Sequence, residues 1–233
     1  GYSLKNSIIH RFPSVSKKFV LPISIDTDKN VFEFDARAEL REKYDLKNKF
    51  TFLYMGKMGG IYYSIGEIVN FIYAFKDLGN YHFMIISDAE KEINNYLENS
   101  KLDPSFFTIL DYVPYENLNQ FISAADMGII AVPPLPSQKY RTPVKTSLYL
   151  SCGLPYLINK GIAEDDQIAL KNRIGVVTND FNPLNAAFVH SRIQDLLVDS
   201  PIMAERCRDY AVKNRSHELA VNVLKNIFQD EFD

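Results

Sequence analysis

Six short, almost uninterrupted runs of apolar residues divide the middle of the chain at regular intervals. They cover residues 50–55, 81–86, 107–110, 127–132, 156–158 and 174–177. Runs of this length that do not alternate with polar residues are typical of strands buried on both faces of a sheet. Segments with apolar residues at helical spacing lie between them, such as the one with Ile65, Ile68, Val69 and Ile72. Strands and helices in alternation predict an α/β fold, with a parallel sheet covered by helices on both faces.

The two ends of the chain have different patterns. After Pro183 the spacing is helical, over residues 184–198, 202–213 and 217–228, and predicts a helical C-terminal tail. Residues 19–26 form a short β-rich segment near the start. We therefore expect three parts, namely residues 1–26, residues 27–182 as the main domain, and residues 183–233 packed on it. The first residue is Gly rather than Met, so we expect a piece of a longer protein.

Composition excludes several classes of function. A formal net charge of -3 and a pI of about 5.9 do not suit a nucleic-acid partner, which requires a basic surface. Two cysteines in 233 residues are not a disulfide framework and indicate a reducing, cytoplasmic location. The four histidines are scattered without the spacing of a zinc site, so we predict no metal centre. No apolar run is long enough to span a bilayer.

The loop after the first apolar run is rich in glycine. Gly56, Gly59 and Gly60 allow the backbone to approach a ligand closely, and Lys57 would lie at the carboxyl end of the strand, where parallel sheets bind ligands. The loop matches neither the dinucleotide-binding nor the P-loop pattern. Two interpretations follow, a phosphate-binding loop or a surface turn with one solvated lysine.

A second loop opens a short helix with clear boundaries. Thr142 is a suitable N-cap, Pro143 suits the first helical position, and Gly153 is placed to end the helix. The start of this helix is a potential anion site, because its N–H groups are free and Arg141 and Lys145 add positive charge. The alternative is a capped surface helix with two solvated cations. If both loops lie at one edge of the sheet, a diphosphate can be held between Lys57 and residues 142–145.

Two further strand ends are weaker candidates. Residues 111–114 end one strand and would line a base pocket through Tyr112 and Val113, while Ser87 and Asp88 end another. The carboxylates of Asp165 and Asp166 are expected at a helix start.

The order of these motifs resembles the donor domain of GT-B glycosyltransferases of the GT4 type. Residues 142–155 are similar to that family's Ser-Pro-x-Lys-x-x-Glu-Tyr-x-Ala-x-Gly-x-Pro motif, and residues 53–63 are similar to its first strand and loop. The resemblance extends from about residue 20 to the C-terminus. Weaker matches, in the same order, lie at residues 111–114, 124–126, 159–161 and 173–177.

The resemblance implies the C-terminal, Rossmann-like half of a GT-B enzyme, which binds a UDP- or GDP-sugar as substrate and has no permanently bound cofactor. The N-terminal acceptor domain would be missing from this chain. Lys57 would stabilise the departing diphosphate. The donor-binding residues implied are Gly56, Gly59, Gly60, Tyr112, Val113, Arg141, Thr142, Pro143, Val144 and Lys145.

Three positions depart from the family pattern. Leu148 stands where family members usually carry a glutamate that holds the donor ribose. Tyr140 stands where many members carry another glutamate, and Tyr63 stands where a second lysine is common. We expect a cytoplasmic glycosyltransferase of the hexosyltransferase type from a bacterial capsule or O-antigen pathway, acting on a glycan or lipid-linked acceptor, with peripheral membrane contact through the missing domain.

Three alternatives remain. One is a non-catalytic domain of the same fold that acts as an interaction or regulatory module. Another is a flavodoxin-like receiver with Asp88 or Asp111 as the phosphorylated residue, which the length of the chain and the lack of a paired acidic cluster after the first strand disfavour. The third is a nucleotide-sugar epimerase of GT-B fold.

Overall fold

A central parallel sheet organises the computed structural model, which describes residues 2–12, 14 and 19–229. Within these residues, six strands are arranged in the order β3-β2-β1-β4-β5-β6, and every neighbouring pair is parallel. This confirms the predicted α/β, Rossmann-like fold and each of the strand-forming runs. The strands are β1 Phe50–Met55, β2 Tyr81–Ile86, β3 Phe107–Leu110, β4 Met127–Ile130, β5 Tyr156–Asn159 and β6 Gly175–Thr178.

Helices connect the strands and surround the sheet, and the last three form the predicted helical tail. None of the helices in the described part of the chain is long and apolar enough to cross a membrane. The helices are α1 Tyr2–Arg11, α2 Phe34–Lys43, α3 Ile65–Tyr73, α4 Glu90–Ser100, α5 Leu118–Ala124, α6 Val144–Ser151, α7 Asp165–Asn172, α8 Ala186–Leu197, α9 Ser200–Arg215 and α10 His217–Gln229.

The core lies around the central strands. All six residues of β2 are buried, as are the last five of β1, which explains why their sequences do not alternate. Phe52 of β1 and Phe83 of β2 stack with ring centroids 4.4 Å apart, and Phe75 after α3 lies 5.3 Å from Phe52. These aromatic contacts hold β1 and β2 in register beneath the loops that follow them.

Helix α6 is seated on the sheet by one close contact. The ring of Tyr149 lies directly against Gly128 in β4, where a β-carbon would collide with it. Tyr149 is fully buried, and its hydroxyl donates to the carbonyl of Leu53 in β1 at 3.4 Å. The glycine therefore allows α6 to pack closely on the two central strands.

A charged network joins α2 to the amino edge of the sheet. Asp126 accepts hydrogen bonds from Arg37 at 2.6 Å, from Arg41 at 3.0 Å and from the backbone N–H of Thr51 at 2.8 Å. Both guanidinium groups also donate to backbone carbonyls, including that of Ala124. The hydrogen bonds of this network connect α2, α5, β1 and β4. Each of its charges has several partners and is at least partly buried.

One predicted segment differs from the structure. Residues 19–26 form no strand; Ile25 makes an isolated bridge with Ser216 instead. The N–H of Ile25 donates to the carbonyl of Arg215 at 2.9 Å, and its carbonyl accepts from His217 at 3.1 Å. These two backbone hydrogen bonds attach the β-rich segment to the junction of α9 and α10. The division at residues 26 and 182 stays a prediction, and residues 1, 13, 15–18 and 230–233 lie outside the described residues.

Replacing Asp126 with Ala will test the network. We expect a loss of about 3 kcal/mol in the free energy of unfolding, because two arginines and an N–H group lose their shared acceptor. The control is Asp195→Ala, which breaks the exposed pair with Arg192 and should cost less than about 1 kcal/mol. Urea unfolding measures both. Equal effects would contradict a structural role for the network.

Candidate functional site

A cavity of about 320 Å³ lies at the carboxyl edge of the sheet, between the loops after β1, β2 and β3 and the start of α6. We call it the carboxyl-edge cavity. Five of the predicted site residues line it, namely Gly56, Lys57, Tyr112, Val113 and Lys145. Three strand ends and one helix start thus meet where an open parallel sheet usually binds its ligand.

Lys145 reaches from α6 to the end of β1. Its ammonium donates a hydrogen bond to the carbonyl of Met55 and lies 5.7 Å from the ring centroid of Tyr54. Burial, and to a smaller extent the nearby positive charge of Arg141, lowers the pKa of Lys145 to about 8. The site therefore holds a desolvated cation at the carboxyl end of β1.

The loop after β1 is shaped to leave room for this lysine. Gly56 has φ +121°, and a β-carbon there would collide with the Lys145 ammonium. Its N–H donates to the carbonyl of Ile86 in β2 at 2.8 Å. The hydroxyl of Tyr54 donates to the carbonyl of Lys57 at 2.7 Å. Because its backbone is bonded to both strands, the first part of the loop is fixed under the cavity.

Lys57 lies at the mouth of the cavity. Its side chain is 75% exposed, and its ammonium lies 3.8 Å from a carboxylate oxygen of Asp88, which is 60% exposed. An exposed pair at this distance contributes little to stability. Lys57 is thus free to move toward a ligand in the cavity.

The start of α6 differs by one residue from the prediction. Pro143 is the N-cap, in an extended conformation with φ -69° and ψ 126°, and the helix begins at Val144. Thr142 does not cap the helix and lines a different cavity, together with Tyr140 and Arg215. Because proline offers no side-chain acceptor, the first N–H groups of α6 have no side-chain cap.

The predicted end of α6 is confirmed. Gly153 has φ +72° and donates to the carbonyl of Leu150 at 3.0 Å, while Leu154 donates to the carbonyl of Tyr149 at 2.9 Å. This is the Schellman arrangement, which requires a left-handed residue that glycine adopts without strain.

The other predicted residues lie outside the cavity lining. Arg141 donates to the hydroxyl of Tyr62 at 2.5 Å, and its guanidinium lies over that ring at 4.9 Å. Gly59 and Gly60, both with positive φ, belong to the same loop as Tyr62. Val144 is half exposed. Arg141 and Tyr62 therefore join the glycine-rich loop to the segment that precedes α6.

None of the three positions that depart from the family pattern brings a charge to the cavity. Leu148 is 6% exposed and forms part of the apolar wall. Tyr140 donates to the hydroxyl of Ser7 at 3.3 Å, and Tyr63 is buried with its ring 5.4 Å from that of Phe181. Asp88, which the sequence offers as a strand end and as a possible phosphorylated residue, lines the cavity. Its place after β2, beside β1, was the available signal.

Metal ligands are not clustered in the described part of the chain. No group there of three or more His, Cys, Asp or Glu residues could hold a metal ion. His82 is buried and hydrogen-bonded to Thr108 at 2.8 Å, and Cys152 and Cys207 are free and buried. The pKa of His82 is lowered to about 4, mainly by burial.

Residues 78–197, just over half of the chain, match the family model "Glucosyltransferase 3-like, C-terminal domain". The chain belongs to this family. The match starts before β2 and ends with α8, so it includes the loops after β2 and β3 and all of α6. It thus covers three of the four segments that form the carboxyl-edge cavity. No curated protein matches the chain.

Solved structures show that the fold is shared with glycosyltransferases. Sucrose-phosphate synthase from Thermosynechococcus elongatus has a TM-score of 0.72 at 15% identity, over 99% of this chain and 57% of that one. HepE from Anabaena, solved with UDP and glucose, has a TM-score of 0.67 at 12% identity, over 90% and 55%. The chain therefore spans little more than half the length of these proteins.

A third structure is itself a single domain. The C-terminal domain of the group 1 glycosyl transferase LpcC from Francisella tularensis has a TM-score of 0.62 at 13% identity, over 83% of this chain and all of that one. At such identities the similarity establishes the fold alone, a Rossmann-like sheet with a helical tail that matches GT-B C-terminal domains.

Two glycine variants test the contact between the loop and Lys145. Gly56→Ala should cost about 2–4 kcal/mol in the free energy of unfolding, because it strains the backbone and displaces the lysine. Gly59→Ala is the matched control, since its φ is also positive but a β-carbon meets nothing within 4 Å. It should cost only about 1–2 kcal/mol. Equal costs in thermal or urea unfolding would show that the collision is unimportant.

The lowered pKa of Lys145 predicts a pH dependence. Between pH 8 and its ordinary pKa of 10.5, the unfolded chain retains a proton that the folded chain has released. Raising the pH through this range therefore favours the folded state at this site. We expect wild type to gain stability relative to Lys145→Met between pH 7 and pH 10. A constant difference between the two proteins in urea unfolding would contradict a desolvated lysine.

Proposed function

We propose that this chain is the donor-binding domain of a glycosyltransferase of the hexosyltransferase type, and that the carboxyl-edge cavity binds a nucleoside-diphosphate sugar. The observation that carries the proposal is the buried ammonium of Lys145, placed at the end of β1 beside an uncapped helix start. A desolvated cation and free N–H groups suit an anionic ligand such as a diphosphate.

The cavity has two chemically different ends. Lys57 and Lys145 bring positive charge to the end of β1, whereas Tyr112 and Val113 offer an aromatic and an aliphatic surface after β3, on the other side of β2. A diphosphate suits the first end, and a nucleobase suits the second. This division supports a nucleoside diphosphate better than a simple phosphate ester.

The two lysines would also assist the chemistry. When the sugar leaves the donor, negative charge grows on the diphosphate, and cations fixed nearby stabilise it in the transition state. Lys145 is held in place by the Met55 carbonyl, while Lys57 is free to approach. A bound phosphate would also raise the pKa of Lys145 and keep its ammonium protonated.

The acceptor site would lie in a second domain. The chain spans 57% of the sucrose-phosphate synthase. It matches the whole of the isolated LpcC domain, over 83% of its own length. We infer that it forms the C-terminal half of a GT-B enzyme of the GT4 type, with a UDP- or GDP-sugar as donor. The acceptor would be a glycan or a lipid-linked sugar in bacterial polysaccharide synthesis, at or near the cytoplasmic face of the membrane.

Two observations favour a non-catalytic role as the second candidate. Leu148 makes one wall of the cavity apolar, and Arg141 is bound to Tyr62 and does not line the cavity. A domain that has lost donor binding would keep this fold and act as an interaction module. Nucleotide binding distinguishes the two candidates, because only the first requires it.

Calorimetric titration of the chain with UDP, GDP, ADP and CDP tests the proposal. We expect one of them to bind in the micromolar range, and Lys57→Ala and Lys145→Ala each to weaken it about tenfold by removing a charged phosphate contact. Lys171→Ala is the control, because this exposed lysine of α7 makes the same change in charge away from the cavity. Unchanged affinity in both variants would eliminate the diphosphate site. Absence of all binding would favour the interaction module.

A further inference from the structure

We propose that Asp88 binds the ribose hydroxyls of the nucleotide and thereby makes the site selective for ribonucleotides over deoxyribonucleotides. This inference rests on the proposed function, since it assigns a role within the same cavity. Asp88 follows β2, lines the carboxyl-edge cavity and has a largely exposed side chain.

The strand order carries the argument. At the carboxyl edge, β2 lies between β3 and β1. The base surface of Tyr112 and Val113 follows β3, and the cationic end with Lys57 and Lys145 lies at the end of β1. Neighbouring strands are about 4.8 Å apart, which is comparable to the step from phosphate to ribose or from ribose to base. A nucleotide laid across these three strand ends therefore places its ribose over Ser87 and Asp88.

Chemistry selects Asp88 rather than Ser87 at this position. A carboxylate is an acceptor for the two hydroxyl donors of a ribose diol, and dinucleotide-binding folds use an acidic residue in this way. Ser87 is buried, and its hydroxyl already accepts from the N–H of Ala89 at 3.3 Å. Asp88 is the sole carboxylate among the described residues that line the cavity.

The side chains that line the cavity from α5 and α6 offer no other acceptor for the ribose hydroxyls. Leu148 faces the same cavity from α6, and Leu118 lines it from α5, so those surfaces cannot accept a hydrogen bond. Asp111 follows β3 but does not line the cavity. Recognition of the ribose from this chain thus depends on Asp88.

The ion pair between Asp88 and Lys57 is weak enough for each side chain to bind the ligand instead. The two exposed charges lie 3.8 Å apart, a weak interaction in water. On binding, Lys57 would turn to the diphosphate and Asp88 to the ribose, so that each charge gains a closer partner. Lys57 would remain near enough to reduce repulsion between the carboxylate and the diphosphate.

The test compares ribonucleotides with deoxyribonucleotides. UDP, GDP, ADP and CDP and their 2′-deoxy and 3′-deoxy counterparts are titrated into wild type, Asp88→Asn and Asp88→Ala. For the nucleotide that binds, we expect wild type to prefer the ribose form at least about tenfold. Both variants should lose this preference, while their affinity for inorganic pyrophosphate should be unchanged or higher. Asp111→Asn, which alters a carboxylate outside the cavity, should retain the wild-type preference.

The outcomes separate the two proposals. If ribonucleotides bind but wild type shows no preference, or if the preference survives in Asp88→Asn, the assignment of Asp88 is overturned and the proposed function stands. If no nucleotide binds to wild type, the proposed function fails and this assignment fails with it. Circular dichroism of each variant establishes that a lost preference does not come from unfolding.

Discussion

The burial of Tyr149 against Gly128 is the contact on which the geometry of the site depends. It seats α6 on the two central strands, and Lys145 lies one helical turn earlier on the same face. Because Tyr149 is fully buried and bonded to Leu53, the helix cannot slide along the sheet without losing both contacts. The position of the Lys145 ammonium at the end of β1 is therefore a consequence of core packing.

The position of Lys145 disfavours its charged form. Placing an ammonium in a desolvated position with one carbonyl acceptor is unfavourable, and the lowered pKa expresses this cost. A glycine with φ +121° at position 56 adds a further constraint, because other residues would be strained there. Two costly features at one point of a cavity are typical of a binding site, since an anion supplies the charge that the folded protein lacks.

Charges at the two edges of the sheet are organised in opposite ways. At the amino edge, Asp126 is bound by two arginines and a backbone N–H, so its charge is fully used within the fold. At the carboxyl edge, Lys57 and Asp88 form one weak, exposed pair. The first arrangement connects helices and strands permanently, whereas the second leaves both charges available to exchange partners with a ligand. The amino edge of the sheet is thus fixed by internal ion pairs, whereas the carboxyl edge keeps charges for the proposed ligand.

The sequence by itself determined the sheet, the helical tail and the end of α6, because apolar runs, helical spacing and Gly153 are local signals that the core then uses directly. It also placed Lys57 and Lys145 at strand and helix ends that meet in space. Only the tertiary structure decided that Thr142 lines a different cavity and that Arg141 binds Tyr62. It also decided that the segment 19–26 bridges to Ser216 through Ile25. Each of these contacts depends on a partner distant in the sequence. The place of Asp88 beside Lys57 was decided in the same way, because strand order, which no local pattern encodes, sets which loop ends are neighbours.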